Sequence, residues 1–138
     1  MFKRIMVPVD LRCPGELSNT LEIACEIAKT TNAALLFVGV TASAPTEIAH
    51  NPEEFSQKLS ALGQEFGEKH GLTVESHAFT SHDPAVDVDK KLLEAIDMFE
   101  VDLVVMATHV PGIREYLFGS VGNRVASHAK VSVFLVRV

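Results

Sequence analysis

Short, nearly unbroken apolar runs alternate along this chain with longer segments of helical spacing. The runs are Arg4-Ile5-Met6-Val7-Pro8-Val9, then Ala34 to Val40, Val101 to Met106 and Val131 to Val138. A strand that is apolar at successive positions is buried on both faces, which is the situation of a parallel sheet covered by helices on both sides. Leu72 to Phe79 alternates instead, with Leu72, Val74, Ser76 and Ala78 set against Thr73, Glu75, His77 and Phe79. It predicts a strand less fully buried than the others.

The segments between carry the helical period. Residues 16–31 place Leu17, Leu21, Ala24 and Ala28 on one stripe, widened by Ile23 and Ile27, with Asn32 as a stop. After a loop over 41–52, Pro52-Glu53-Glu54 opens a helix that repeats Phe55, Leu59, Leu62 and Phe66 and ends at His70-Gly71. Asp83 or Ser81 caps a third helix, with Pro84 in its first turn and Val88, Leu92, Ile96 and Phe99 on one face to about Glu100. A fourth covers about Ser120 to His128, with Val121, Val125 and Ala126 inward. The order βαβαβαβαβ predicts an α/β fold: one domain over residues 1–138, a five-stranded parallel sheet with helices on both faces and right-handed crossovers.

Charge and aromatic content narrow the partners. The formal net charge is -6, Lys and Arg are scattered, and there is no Trp and one Tyr. A nucleic-acid partner needs a basic patch or stacking platforms, so none is expected. A single nucleotide is not excluded, because backbone amides suffice for its phosphates. Cys13 and Cys25 form neither a disulfide framework nor a metal box; Cys25 falls on an apolar helix face and Cys13 in a loop. The start leads straight into a strand, and no apolar run approaches ~18 residues. No signal peptide and no membrane span are expected, and the expected location is cytoplasmic.

In a sheet of this kind ligands sit at the carboxyl ends of the strands. Pro8-Val9-Asp10, Val40-Thr41, Thr80-Ser81-His82 and the stretch from Met106 to Val121 are expected there. The last is the longest. A strand end leads into a loop with Pro111 and Gly112, and then into Gly119-Ser120 at a helix mouth, where free N–H groups suit a phosphate. The plainer reading of Gly119-Ser120 is an N-cap, of Asp10 a loop acid, and of His109 a surface residue. The histidines are too scattered for a metal site, and His128 is read as structural. Ser120, His109 and Asp10 have the residue types of a hydrolytic triad, but there is no G-x-S-x-G elbow, so no catalytic residues are assigned. A response-regulator reading fails as well: the first strand ends in a single acid and the third in Phe79-Thr80-Ser81.

Ile5-Met-Val-Pro-Val-Asp10, Val101-Asp-Leu-Val-Val-Met-Ala-Thr-His109, Leu117-Phe-Gly-Ser-Val121 and Ser127-His-Ala-Lys-Val-Ser-Val-Phe-Leu-Val-Arg137, in this order and spacing, resemble the universal stress proteins over essentially the whole chain. The resemblance implies a Rossmann-like, adenine nucleotide alpha hydrolase-like fold and a homodimeric stress-response regulator that binds ATP or AMP. In nucleotide-binding members a G-x-x-G-x9-G-[ST] signature lines the site. Here Ala107 and Val110 stand at the first two glycines, and eight residues, 111–118, separate Val110 from Gly119. Gly119-Ser120-Val121 is intact. By similarity Pro8, Val9 and Asp10 border adenine and ribose, and Val40 meets adenine through its backbone. Met106, Ala107, Thr108 and His109 line the ribose-phosphate side, and Gly119, Ser120 and Val121 donate N–H groups to phosphate. Asp10 helps to hold Mg²⁺. At most, slow ATP hydrolysis or self-phosphorylation at Ser120 accompanies binding. The altered loop favours an alternative, a nucleotide-free protein-interaction module of the same fold. In either case the regulatory protein partners are unnamed. The last strand, 131–138, is apolar and is expected to pair with a second copy.

Overall fold

The computed structural model describes residues 1–12, 14–108 and 117–137; Cys13, 109–116 and Val138 lie outside the described residues. The elements run β1 (Arg4–Pro8), α1 (Pro14–Thr31), β2 (Ala34–Ala42), α2 (Pro52–His70), β3 (Val74–Ser81), α3 (Pro84–Met98), β4 (Leu103–Thr108), α4 (Leu117–His128) and β5 (Ser132–Arg137). The strands form one sheet in the order β3-β2-β1-β4-β5, and each pairing is parallel.

The continuous apolar runs are explained by two cores, one on each face. Ile5, Val7, Leu35, Phe37, Leu103 and Val105 point to the side covered by α1 and α2, where they meet Leu21, Ala24, Leu59 and Phe66. Met6, Leu36, Val38, Val104 and Met106 point to the other side, against Val88, Leu92 and Ile96 of α3 and Val121 and Val125 of α4. This is the two-residue alternation of a strand with both faces apolar. α1 packs across β1, β2 and β4, and α2 across β2 and β3. Phe134 of β5 remains 46% exposed.

Three helices end by one device. Asn32, Gly71 and Glu100 take positive φ of 56°, 67° and 52°. The next N–H in each case returns to a carbonyl five residues back: Ala33 to Ala28, Leu72 to Gly67, Val101 to Ile96. These are left-handed closures that satisfy the last helical carbonyls and aim the chain back into the sheet.

Some boundaries differ from the sequence expectation. β3 lies two residues later than expected, at 74–81, and β2 continues to Ala42. β4 covers 103–108, so Ala107 and Thr108 are strand residues paired with Val136 and Arg137. Val101 is buried, but its N–H closes α3. Asp102 then ties β1 to β4: its N–H donates to the Arg4 carbonyl and its carboxylate accepts from the N–H groups of Lys3 and Arg4. α4 begins at Leu117, which puts Gly119 and Ser120 inside its first turn rather than at its mouth. Ala126 is exposed, as is His128, whose ring lies 2.8 Å from the Arg124 carbonyl.

Candidate functional site

β1 is the point where the chain reverses its direction of travel through the sheet, going first to β2 and β3 and later to β4 and β5. Full pairing joins β1 to β2 from Arg4↔Ala34 to Pro8↔Val38. β1 pairs with β4 only at Ile5↔Leu103 and Met6↔Val104, while β4 continues beside β5 to Thr108↔Arg137. Among the described residues the sheet therefore parts between β1 and β4 beyond Met6. Pro8, which has no N–H, sits where the ladder stops. A parting at this position is where open α/β sheets take ligands.

A cavity of ≈ 390 Å³ lies over the carboxyl ends of β1 and β2. Its described walls are Val9 to Arg12 after β1, Val40 to Ala42 of β2, Thr46 to Ile48, Phe55 of α2, and Asp83 to Ala85 with Val88 of α3. Most of these surfaces are apolar, and a few polar groups converge among them, the usual make-up of a small-molecule site. Val9 is buried and its N–H donates to the Val38 carbonyl, which extends the β1–β2 ladder past Pro8. Phe55 reaches the cavity because β2 carries Gly39 beneath it.

The outer wall is a pinned loop. The Thr46 hydroxyl accepts from the N–H groups of Ile48 and Ala49, and the Thr46 N–H donates to the Ala49 carbonyl. Lys58 holds the Ile48 carbonyl from α2. Asn51 caps α2 by accepting from the Glu54 N–H at 2.8 Å. The facing wall is the start of α3. Asp83 holds the cap position without a side-chain cap bond. The buried Ser81 hydroxyl instead accepts from the Asp83 N–H and donates to Asp87 at 2.7 Å.

Asp10 is held by its neighbour. Arg12 Nε donates to Asp10 Oδ1 at 2.9 Å and a terminal nitrogen to Oδ2 at 2.7 Å, while the Arg12 N–H also reaches Oδ1. This is a two-pronged guanidinium–carboxylate pair. Both Asp10 oxygens accept from Arg12. Among the described residues, no group of three His, Cys, Asp or Glu is placed to hold a metal ion.

The structure divides the expected site residues. Val9, Asp10 and Val40 line the cavity, with Pro8 immediately before them. Across the parting, Met106 and Val121 are core side chains of the α3–α4 face, Thr108 is buried and Ala107 partly so. α4 lies close on that strand end: a Cβ on Gly122 would stand 3.5 Å from the Thr108 hydroxyl. Met106 and Val121 can therefore offer a ligand only their backbone. Gly119 and Ser120 lie in the first turn of α4, among the N–H groups that helical bonding leaves open. His109, Val110, Pro111 and Gly112 lie outside the described residues. Sequence reasoning missed Arg12, the 46–48 wall and the α3 start. Phe55 was legible only as a core residue, because helical spacing does not say what lies beyond the ring.

A model of the universal stress protein family matches residues 1–137 of the chain. Solved structures share the fold. A protein of that family from Burkholderia pseudomallei is 20% identical, with a TM-score of 0.69 over 97% of this chain and 95% of that one. The universal stress protein of Archaeoglobus fulgidus in complex with dAMP is 20% identical, with a TM-score of 0.66 over 96% of each chain. An Arabidopsis thaliana family protein with AMP bound is 17% identical, with a TM-score of 0.63 over 98% of this chain and 91% of that one.

Proposed function

This chain belongs to the universal stress protein family, and from that membership we propose that it binds an adenine nucleotide, ATP or AMP, and acts as a homodimeric regulator through protein partners. The observation that carries the reading is the cavity at the carboxyl ends of β1 and β2, beside the parting of the sheet. Apolar walls from Val9, Val40, Ile48, Phe55 and Val88 suit a flat base. Asp10 is the acceptor for sugar hydroxyls. Phosphate lies across the parting, against the backbone N–H groups of Gly119, Ser120 and Val121 in the first turn of α4. Ala107, Thr108 and His109 are the proposed ribose-phosphate side. Structures of similar proteins with dAMP and AMP support the ligand class.

The test is thermal unfolding with ATP and with AMP, each with and without Mg²⁺, on protein shown to be free of ligand. At about 100 times its Kd a nucleotide stabilises by about 2.7 kcal/mol. No shift with either nucleotide at millimolar concentration overturns the proposal. Gly119→Val is expected to remove the effect of AMP.

The dimer is proposed at the β5 edge. Among the described residues β5 pairs with β4 alone, and Phe134 stands 46% exposed on this edge strand. Phe134→Glu is expected to shift a dimer to monomer in sedimentation; a monomeric parent protein sinks this part.

A further inference from the structure

We propose that Thr41 is a specificity-determining residue of the cavity, its hydroxyl accepting a hydrogen bond from the amino group of the bound base. The inference rests on the nucleotide reading above and adds to it a side chain that tells one base from another.

Among the described residues four polar side chains are buried, those of Thr20, Thr41, Ser81 and Thr108, and of these Thr41 alone lines the cavity. Ser81 is spent on Asp83 and Asp87. The Thr46 hydroxyl, also in the wall, is spent on its own loop. The Thr41 hydroxyl has no hydrogen-bond partner among the described residues, although the residue is only 6% exposed. A polar group enclosed to this extent is costly to leave unpaired once water is displaced from beside it. A ligand that fills the cavity therefore gains by presenting a polar atom at this point and loses by presenting a hydrocarbon edge.

The strand fixes where that hydroxyl stands. Leu35 and Phe37 of β2 point to the α1–α2 face, and alternation puts Gly39 and Thr41 on the same side. The Phe55 ring lies over Gly39, so Thr41 is the next position along that face. β2 is still paired there, through Thr41↔Thr80, and a β-branched side chain has little rotational freedom. A base among these walls meets the apolar surfaces of Phe55 and Val40 and, next to both, one fixed hydroxyl.

The charges choose its role, since a hydroxyl can donate or accept. Of the four charged residues among the described walls, Asp10 and Arg12 pair with each other, and the other two, Glu47 and Asp83, are acids. Such a wall favours a ligand edge that donates and opposes one that carries a carbonyl. The exocyclic amino group of adenine is a donor of this kind.

The experiment is calorimetric titration of the full chain with AMP, with purine riboside 5′-monophosphate, which is AMP without its amino group, and with inosine 5′-monophosphate, which has a carbonyl there. Wild type, Thr41→Val and Thr41→Ser are compared, and circular dichroism and thermal unfolding of the ligand-free variants establish that they fold. Val keeps the shape and branching of Thr; Ser keeps the hydroxyl. Wild type is expected to favour AMP over the analogue without the amino group by about tenfold or more. Thr41→Val is expected to lower that ratio by about fivefold or more, and Thr41→Ser to keep most of it. If wild type binds AMP and the ratio is unchanged in Thr41→Val, the assignment is wrong and the nucleotide reading stands. Equal binding of AMP and inosine 5′-monophosphate by wild type overturns the accepting role. If wild type binds none of the three, both readings fall together.

Discussion

The ring of Phe55 fills the space that a Cβ on Gly39 would need, with Cε1 2.7 Å and Cζ 2.8 Å from that position. Phe55 is at once a core residue of the α1–α2 face and part of the cavity wall. A glycine in the middle of a buried strand normally weakens it; here it lets an aromatic side chain approach the backbone. Gly39→Ala is expected to overpack this contact and destabilise by about 1–3 kcal/mol in urea unfolding, and to weaken AMP through the displaced wall. With Phe55→Leu added, the combined loss should be smaller than the sum of the two single losses. Strict additivity would mean that the two residues do not compete for this space.

The left-handed helix ends make opposite predictions for two residues. Nothing stands within 4 Å of a Cβ placed on Gly71, so Gly71→Ala tests the backbone alone. It is expected to lower stability by about 1 kcal/mol. Glu100 occupies the same kind of position with a side chain, at φ 52°. Glu100→Gly is expected to raise stability by a few tenths to about 1 kcal/mol, since relief of the Cβ clash outweighs the added freedom of the unfolded chain. Equal signs for the two changes would contradict the account.

Helix α2 anchors the outer wall of the cavity, and its start should respond to acid. The Glu54 carboxylate accepts from the His50 N–H at 3.0 Å and lies 3.0 Å from the His50 ring nitrogen, with Lys58 nearby. The backbone bond first, then the ring, holds the Glu54 carboxyl below its ordinary value of 4.5. A group with a depressed folded value contributes its stability above that ordinary value and loses it as pH falls through the folded one. The advantage of wild type over Glu54→Gln should therefore be complete at neutral pH and shrink only below pH 4.5. Asn51→Ala, which removes the side-chain cap, should cost about 1 kcal/mol.

Cys25 is predicted to be inert in the folded protein. It is fully buried on α1, and burial first, then the nearby Glu22 carboxylate, pushes its thiol from 9.0 up to about 11. In a Cys13→Ser background, a disulfide-exchange reagent at neutral pH should react with Cys25 slowly in native protein and rapidly in urea. Equal rates would show that the α1–α2 face opens freely.

Sequence alone determined the elements and their faces. Apolar residues at successive positions in 5–7, 35–38 and 103–106 implied strands buried on both sides, and both cores are built from them. Asn32 and Gly71 were legible as stops because left-handed φ strongly restricts the residue type. Glu100 was not, since glutamate gives no such signal. The apolar run from Val101 predicts β4 two residues early because Val101 is as apolar as a strand residue, and only its bond to the Ile96 carbonyl assigns it to the end of α3. Thr108 enters the strand through its pairing with Arg137, thirty positions away in the chain. The site divides in the same way. Val9, Asp10 and Val40, expected at strand ends, line the cavity, whereas Arg12, Ile48, Phe55 and Val88 became its walls through tertiary contact. Local periodicity records which face of an element is buried. It carries no record of which strand lies alongside or where two strands part, because those are set by hydrogen bonds between distant segments. The opening between β1 and β4, and the hold of Arg12 on Asp10 beside it, were decided there.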